Sequence, residues 1–231
     1  MPDEMNRAIH LLFLGMVAAL ICACAQAQGT TEETSPEIDV YVRLNEQYRL
    51  DFSAERSTDG STYDSINYGA TLDIQLKPIV RKRIDSNNSA KHKYLTFAVG
   101  YHYLTNFNKP DENRIDLDLT PRYVLPWSLL LGDRNRFELR LISGAWTWRY
   151  RNRLAVERPF RIRSFRFSPY MREEVFYNSK YGTWGEDTYE VGAIFPVRKR
   201  IELQPYLEHT NQTHSSPQHV NTVGLTANFY F

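Results

Sequence analysis

The sequence lacks the features that mark several large classes of protein. Its formal net charge is only +1, from 28 basic and 27 acidic residues, so no basic surface for a nucleic acid is indicated. Its mean hydropathy is −0.51, and it has no series of apolar runs of roughly 20 residues, which excludes a bundle of transmembrane helices. It also has no glycine-rich phosphate-binding loop, and both of its cysteines lie near the N-terminus.

Aromatic and charged side chains are, by contrast, abundant. Fifteen Tyr, twelve Phe and four Trp exclude a disordered chain, because disordered chains are typically poor in aromatic residues. Together with a charged fraction of 24%, this aromatic content indicates amphipathic β-structure.

The first 27 residues have the pattern of a signal peptide. An unbroken apolar run, residues 11–23, follows Arg7, and Ala25-Gln26-Ala27 forms a small-x-small cleavage site. We therefore expect export and a mature chain that begins near Gln28. The alternative is lipidation of Cys24, which would anchor the N-terminus to a membrane leaflet. Cleavage after Ala27 would leave a mature chain without cysteine and therefore without disulfides.

Period-two alternation runs through the mature chain after a short polar lead. Residues 28–37 are predicted to be flexible, and residues 38–231 are predicted to form one β-barrel domain. In residues 65–77, for example, the apolar and polar residues separate onto two faces, as they do on a strand. Its apolar face comprises Ile66, Tyr68, Ala70, Leu72, Ile74 and Leu76.

Ten such segments are predicted, and their lengths suit a membrane barrel. They lie near 39–56, 65–77, 93–105, 113–124, 135–143, 146–158, 162–178, 185–195, 199–210 and 219–231. Most are 10–14 residues long. That exceeds the ~5–6 residues usual in soluble sheets and reaches the ~9–11 that a tilted strand needs to cross a bilayer.

Two all-β architectures fit the alternation, because exchanging the two faces leaves the pattern unchanged. One is a transmembrane up-and-down antiparallel β-barrel of about ten strands, apolar outside and polar inside. The alternative is a soluble periplasmic lipid-binding barrel with the faces reversed. Aromatic residues cluster at segment ends, as in the interfacial girdles of membrane barrels. We therefore expect a barrel in the bacterial outer membrane, in contact with outer-membrane lipids.

The end of the chain supports the same prediction. The last segment finishes on an aromatic residue, and Phe229 and Phe231 are predicted to form the terminal signal that the barrel assembly machinery reads. With ten strands, both chain ends would lie in the periplasm. If residues 39–56 instead form a hairpin around Glu46-Gln47, this parity breaks, and a barrel of twelve strands is the alternative.

Charged residues alternate along segment 146–158, where Arg149, Arg151 and Arg153 share one face with Glu157. If that face is inward, it meets carboxylates of neighbouring strands. The predicted lumen charge cluster comprises Arg149, Arg151, Arg153, Glu157, Glu174, Glu190 and Glu202, with Glu138 and Glu173 as further candidates. One interpretation is a constriction that selects anions or holds a lipid phosphate. The other, favoured by similar numbers of Arg and Glu, is a salt-bridge network that fills a small lumen.

Four of these stretches together resemble a known family. They are Glu112-Asn113-Arg114-Ile115, residues 148–158, residues 169–177 and Pro205-Tyr206-Leu207-Glu208-His209. They are similar to the uncharacterised outer-membrane β-barrels grouped as domain of unknown function 2490. The resemblance covers roughly residues 40–231, and the pattern Arg-x-Arg-x-x-x-Glu-Arg is its most specific part. It implies a Gram-negative outer-membrane barrel and no particular reaction, so we expect a non-enzymatic, structural or porin-like role in the passage of small solutes.

Glu208 and His209 form a weak alternative site. The stretch that they begin, residues 208–212, resembles the active strand of lipid A 3-O-deacylase barrels, which would imply a lipid-modifying hydrolase of the outer membrane. That activity needs a serine two residues after the histidine, and this chain has Asn211 there. His209, His214 and His219 are spaced by five residues, which fits no standard metal-ligand pattern. No catalytic residue, metal or cofactor is therefore predicted.

Overall fold

A computed structural model describes residues 30–59, 62–78, 86–107, 109–214 and 217–231. The predicted signal peptide, its cleavage site and Cys24 lie outside the described residues. Among the helices that are described, none is long and apolar enough to cross a membrane.

Regular structure in the described residues consists of twelve strands and two short 3₁₀ helices. The strands are β1 (Thr30–Arg43), β2 (Tyr48–Asp59), β3 (Thr62–Pro78), β4 (Lys93–Asn106), β5 (Glu112–Val124), β6 (Leu130–Ile142), β7 (Ala145–Glu157), β8 (Phe160–Ile162), β9 (Phe165–Asn178), β10 (Thr183–Arg198), β11 (Ile201–Gln212) and β12 (His219–Tyr230). The 3₁₀ helices span Ser89–His92 and Pro126–Ser128.

Eleven of these strands close into one up-and-down barrel. Neighbouring strands pair antiparallel from β1 to β7, β7 pairs with β9, and the pairing continues to β12. The three-residue strand β8 is a short addition that forms a hairpin with β9. The barrel closes between β1 and β12, which run parallel, with Thr30 opposite His219 and Tyr41 opposite Tyr230.

The parallel closure places the start of β1 and the end of β12 at opposite ends of the barrel, which we name the Thr30 end and the Phe231 end. The Thr30 end carries the described connecting residues 107, 109–111, 143–144, 179–182, 213–214 and 217–218. The Phe231 end carries those near 44–47, 86–92, 125–129, 158–164 and 199–200. The prediction that both ends of the chain lie on the same side is therefore wrong, because a barrel with an odd number of strands cannot return its chain to the starting side.

The predicted fold class is confirmed as an all-β up-and-down barrel, with eleven strands in place of the predicted ten or the alternative twelve. The difference arises in the first segment, 39–56, which is a hairpin. Its turn forms because the side-chain oxygen Oδ1 of Asn45 accepts the backbone N–H groups of Gln47 (2.8 Å) and Tyr48 (2.9 Å). No further pair of strands restores the even number within the described residues.

Residues 30–37, predicted as part of a flexible lead, are instead the first half of β1. This segment is ordered because β1 has a hydrogen-bonded neighbour on each side, β12 and β2. Its polar side chains also find partners inside the barrel. Ser35 Oγ donates to Glu55 Oε1 at 2.6 Å, and Thr226 Oγ1 donates to Glu37 Oε2 at 3.1 Å.

The barrel is apolar outside and polar inside, as the alternation predicts for the first of the two architectures. Among the residues that the structure describes, twenty-three polar or charged residues are buried, against seven hydrophobic ones. Apolar side chains on the outer wall remain exposed, among them Ile38, Phe52, Val99, Leu117, Val191 and Leu225. Because side chains alternate along a strand, the residues between the inward charged ones face outward and form the apolar outer surface.

Exposed aromatic side chains mark both ends of the outer wall. Tyr94 and Tyr123 pack edge to face at the Phe231 end, where Trp127 is 80% exposed. Towards the Thr30 end, Trp148 stacks between Phe137 and Tyr177. Two aromatic belts therefore border the apolar zone of the wall, as the clustering at segment ends predicts.

Candidate functional site

The arginine row predicted from the sequence lies inside the barrel. Arg149, Arg151 and Arg153 are alternate residues of β7, so all three point to the same face of the sheet. That face lines a lumen cavity of about 680 Å³, to which every one of the eleven barrel strands contributes residues. The arginine row therefore faces charged side chains of the other barrel strands across the lumen.

Glu174 neutralises the arginine row from the neighbouring strand β9. Its carboxylate accepts hydrogen bonds from Arg151 Nε (3.0 Å) and Nη2 (2.9 Å) and from Arg153 Nε (2.9 Å) and Nη2 (2.6 Å). Arg134 on β6 adds a bond from Nη2 at 2.8 Å. The Glu174 side chain is only 3% exposed, so one buried carboxylate is shared by three guanidinium groups.

Glu138 on β6, the strand on the other side of β7, also neutralises the arginine row. It is fully buried and accepts Arg149 Nε at 2.6 Å and Arg151 Nη1 at 2.9 Å. Arg114 on β5 approaches it to 3.7 Å. Because Arg151 bridges Glu138 and Glu174, the charges form one continuous network across three barrel strands, β6, β7 and β9.

The network extends to β5, none of whose residues belongs to the predicted lumen charge cluster. Arg136 pairs with Asp118 through two parallel bonds of 2.7 Å and lies 3.1 Å from Asp116. Glu112 accepts Arg140 Nη2 at 2.6 Å and Arg114 Nε at 2.8 Å. The alternation Glu-x-Arg-x-Asp-x-Asp at residues 112–118 carries the signal that would have revealed this part of the site.

The other carboxylates of the predicted cluster lie inside the barrel but hold different partners. Glu157 pairs with Lys91 at 2.6 Å, and Glu190 pairs with Arg172 at 3.0 Å. Glu202 accepts the hydroxyl of Tyr230 at 2.8 Å and the backbone N–H of Asn87 at 3.1 Å. The further candidate Glu173 is exposed on the outer wall, because it is adjacent to the inward Glu174.

The opposite wall of the lumen is acidic and has no such pairing. Glu37 and Asp39 on β1, Asp51 and Glu55 on β2, and Glu208 on β11 line the same cavity. Within the described residues, no ion pair joins any of these five carboxylates to a basic side chain. Their hydrogen bonds come from neutral hydroxyls, such as Tyr41 to Asp39 and Ser35 to Glu55. We call these five residues the acidic wall.

A short segment, residues 86–92, closes over the lumen at the Phe231 end. Asn87 reaches β10 and β11, where its side chain donates to the carbonyl of Arg198 at 3.1 Å. Asn88 Oδ1 accepts Arg49 Nη1 at 2.6 Å, and Lys91 reaches Glu157 on β7. Since its contacts extend from β2 to β7 and β11, this segment, here named the cap, bridges across the mouth of the barrel.

Glu208 and His209, the weak alternative site, point to opposite sides of β11. Glu208 belongs to the acidic wall, whereas His209 lies on the outer wall, because adjacent residues of a strand point to opposite faces of the sheet. His209 Nδ1 is 2.7 Å from Asn221 Oδ1, and its Nε2 is 3.0 Å from Asn211 Oδ1. In the described part of the chain, no hydroxyl is hydrogen-bonded to this imidazole.

The described residues contain no group of three or more His, Cys, Asp or Glu side chains arranged to hold a metal ion.

The predicted terminal signal lies at the closing seam of the barrel. Phe231 is 60% exposed, and its backbone N–H donates to the carbonyl of Tyr41 on β1 at 2.8 Å. Its reading by the assembly machinery stays a prediction.

Comparison with known proteins agrees with the resemblance drawn from the charged motifs. No curated protein sequence matches the chain. A family model described as protein of unknown function (DUF2490) matches residues 39–221, which include most of the barrel and every residue of the arginine network. The chain therefore belongs to the DUF2490 family.

Proposed function

We propose that this protein is a non-enzymatic β-barrel of the bacterial outer membrane whose lumen is a narrow passage for small cations. The observation that carries the proposal is the asymmetry of the lumen. One wall holds arginines that are neutralised by shared carboxylates, and the opposite acidic wall holds five carboxylates without a basic partner.

The membrane placement is supported by the polarity of the barrel. A soluble barrel that binds lipid needs an apolar interior, whereas this interior holds buried charges such as Arg114 and Glu138. The outer wall exposes apolar side chains between two aromatic belts, which is the pattern expected of strands in contact with hydrocarbon. In water, the same surface would be a large apolar patch prone to association.

The sign of the passing solute follows from the charges left unpaired. The residues lining the cavity include thirteen acidic and ten basic side chains. Since the arginines of β6 and β7 donate to Glu112, Asp118, Glu138 and Glu174, little positive charge remains on these two strands for an anion. Rings or walls of carboxylates favour cations in pores. This argues against the anion-selective constriction that was one interpretation of the arginine row.

A hydrolase is disfavoured by the surroundings of His209. A histidine that activates a nucleophile needs a hydroxyl or thiol within about 2.6–3.2 Å. Both ring nitrogens of His209 face asparagine side chains instead, and the position of the required serine is Asn211.

Planar-bilayer recording of the refolded mature chain tests the proposal. We expect small conductance steps and a reversal potential in a KCl gradient that shows cation preference. Replacing two members of the acidic wall, Asp39→Asn with Asp51→Asn, should reduce that preference. Glu173→Gln, which removes a carboxylate from the outer wall, is the matched control and should leave it unchanged. A silent bilayer, or a preference for anions, would refute the passage.

A further inference from the structure

The rim of the barrel at the Phe231 end carries a dense group of basic residues. The segment 158–166 reads Arg-Pro-Phe-Arg-Ile-Arg-Ser-Phe-Arg, and the turn 198–200 reads Arg-Lys-Arg. Neither segment contains an acidic side chain. Arg158, Arg161 and Arg163 are exposed, and so are all three residues of the turn. We call these two segments the basic rim.

The hairpin of β8 and β9 gives one part of the basic rim an apolar face. Phe160 is opposite Phe167, and Ile162 is opposite Phe165, so these four side chains share one side of the hairpin. The ring centroids of Phe160 and Phe167 are 5.5 Å apart, and Phe165 lies 6.1 Å from Phe195 on β10. This apolar face continues the outer wall of the barrel past the end of β7.

The turn between β10 and β11 borders a groove in the outer wall. The groove has a volume of about 350 Å³ and is lined by Arg198, Lys199, Arg200, Ile201, Phe229 and Phe231. Three cations therefore stand beside three apolar side chains.

This combination fits a phospholipid better than a soluble anion. A phosphate needs the cations, whereas the apolar floor and the neighbouring phenylalanine cluster would be of no use to a small hydrophilic ligand. Arg and Lys side chains at the edge of a bilayer can keep their aliphatic stems on apolar surface while their charged ends reach the headgroups. Each such cation near an anionic surface contributes roughly a fivefold gain in affinity.

We propose that the groove between the turn 198–200 and the C-terminal residues Phe229 and Phe231 binds an anionic phospholipid. The phosphate lies against the basic rim, and an acyl chain follows the apolar outer wall. The site fixes the Phe231 end of the barrel at the headgroup level of one leaflet. This inference rests on the proposed placement in a membrane and adds the class of lipid that the rim selects.

The test uses the full mature barrel, refolded and purified in a neutral detergent. Phosphatidylglycerol and phosphatidylcholine with the same acyl chains are titrated in competition, and the bound lipids are counted by native mass spectrometry. Wild type should prefer phosphatidylglycerol, and high salt should weaken the preference. The double variant Lys199→Glu with Arg200→Glu should lower the preference at least tenfold, since two favourable charges become unfavourable.

The control is Lys109→Glu with Lys180→Glu, which makes the same charge change at exposed positions of the Thr30 end. It should bind phosphatidylglycerol as wild type does. Equal binding of the two lipids by wild type, or equal loss in both double variants, would overturn the inference. Insertion of wild type into vesicles of pure phosphatidylcholine is scored separately by heat-modifiable migration on gels. Insertion without lipid preference contradicts only the groove, whereas a failure to insert contradicts the membrane placement as well.

Discussion

Replacing Glu174 by Gln should destabilise the barrel far more than any other conservative change on β9. The substitution keeps the shape of the side chain and removes the negative charge that Arg134, Arg151 and Arg153 share. Glu174 accepts five hydrogen bonds from these three arginines, and its side chain is 3% exposed. An amide presents one oxygen and places its N–H₂ group against guanidinium donors.

The size of the effect follows from the burial of the network. Removing one partner of a buried ion pair costs about 3–5 kcal/mol, because the remaining charge stays in a poorly solvated position. Water in the lumen cavity can reach part of this network, so we expect the lower end of that range, about 3 kcal/mol. With a denaturant slope of about 2 kcal/mol/M, the urea midpoint should fall by roughly 1 to 2 M.

The assay is urea unfolding of the refolded barrel, followed by tryptophan fluorescence and by gel migration without heating. The matched control is the neighbouring Glu173→Gln, which makes the same chemical change on the exposed outer wall and should stay within about 0.5 kcal/mol of wild type. Coinciding midpoints for the two variants would refute the reasoning, since they would mean that the shared carboxylate does not stabilise the arginine row.

Four further outcomes follow from the geometry. Lys91→Ala breaks the 2.6 Å ion pair that ties the cap to β7, so conductance through the barrel should rise, and an unchanged conductance would show that the cap does not limit passage. Gly144→Val forces a β-branched residue to φ +79° at a turn with no crowding, which should cost about 1–3 kcal/mol, whereas Gly144→Asn should be milder in the same unfolding assay. His209→Ala should leave fatty-acid release from outer-membrane lipid at background, and a release by wild type that this variant abolishes would contradict the non-enzymatic assignment. An epitope placed before Thr30 should be reached by antibody on intact cells if Phe231 faces the periplasm, and labelling only after cell lysis would contradict this orientation.

Which side chains share a face was predictable, because alternation is a local property of a strand. Once β7 is recognised, Arg149, Arg151 and Arg153 must lie on one face, and Glu208 and His209 must lie on opposite faces of β11. The turn between β6 and β7 is equally local, since Ser143 and Gly144 both adopt positive φ, 52° and 79°. Local chemistry fixes such features without knowledge of the rest of the barrel.

The pairing of charges was not predictable, because it depends on register between strands. Glu138 meets Arg149, and Glu174 meets Arg153, as direct cross-strand neighbours. A shift of two residues would preserve every inward face and change every partner. The position of the cap is even harder to predict from the sequence, because the contact between Asn87 and Glu202 joins residues that are 115 positions apart. No pattern along the chain announces a contact of this kind.

The closing seam explains why the contribution of β1 to the acidic wall could not be predicted from the sequence. Residues 30–37 look like a polar lead because Glu33, Ser35 and Glu37 are read without neighbours. In the barrel, these residues form half of the parallel seam strand, and their inward face supplies the lumen with carboxylates. The same odd strand that breaks the up-and-down parity therefore contributes Glu37 and Asp39, two of the five carboxylates of the acidic wall. A DUF2490 barrel without this strand would keep the arginine network of β5 to β9 but would have three of the five carboxylates of the acidic wall, so we expect it to show a weaker form of the proposed cation preference.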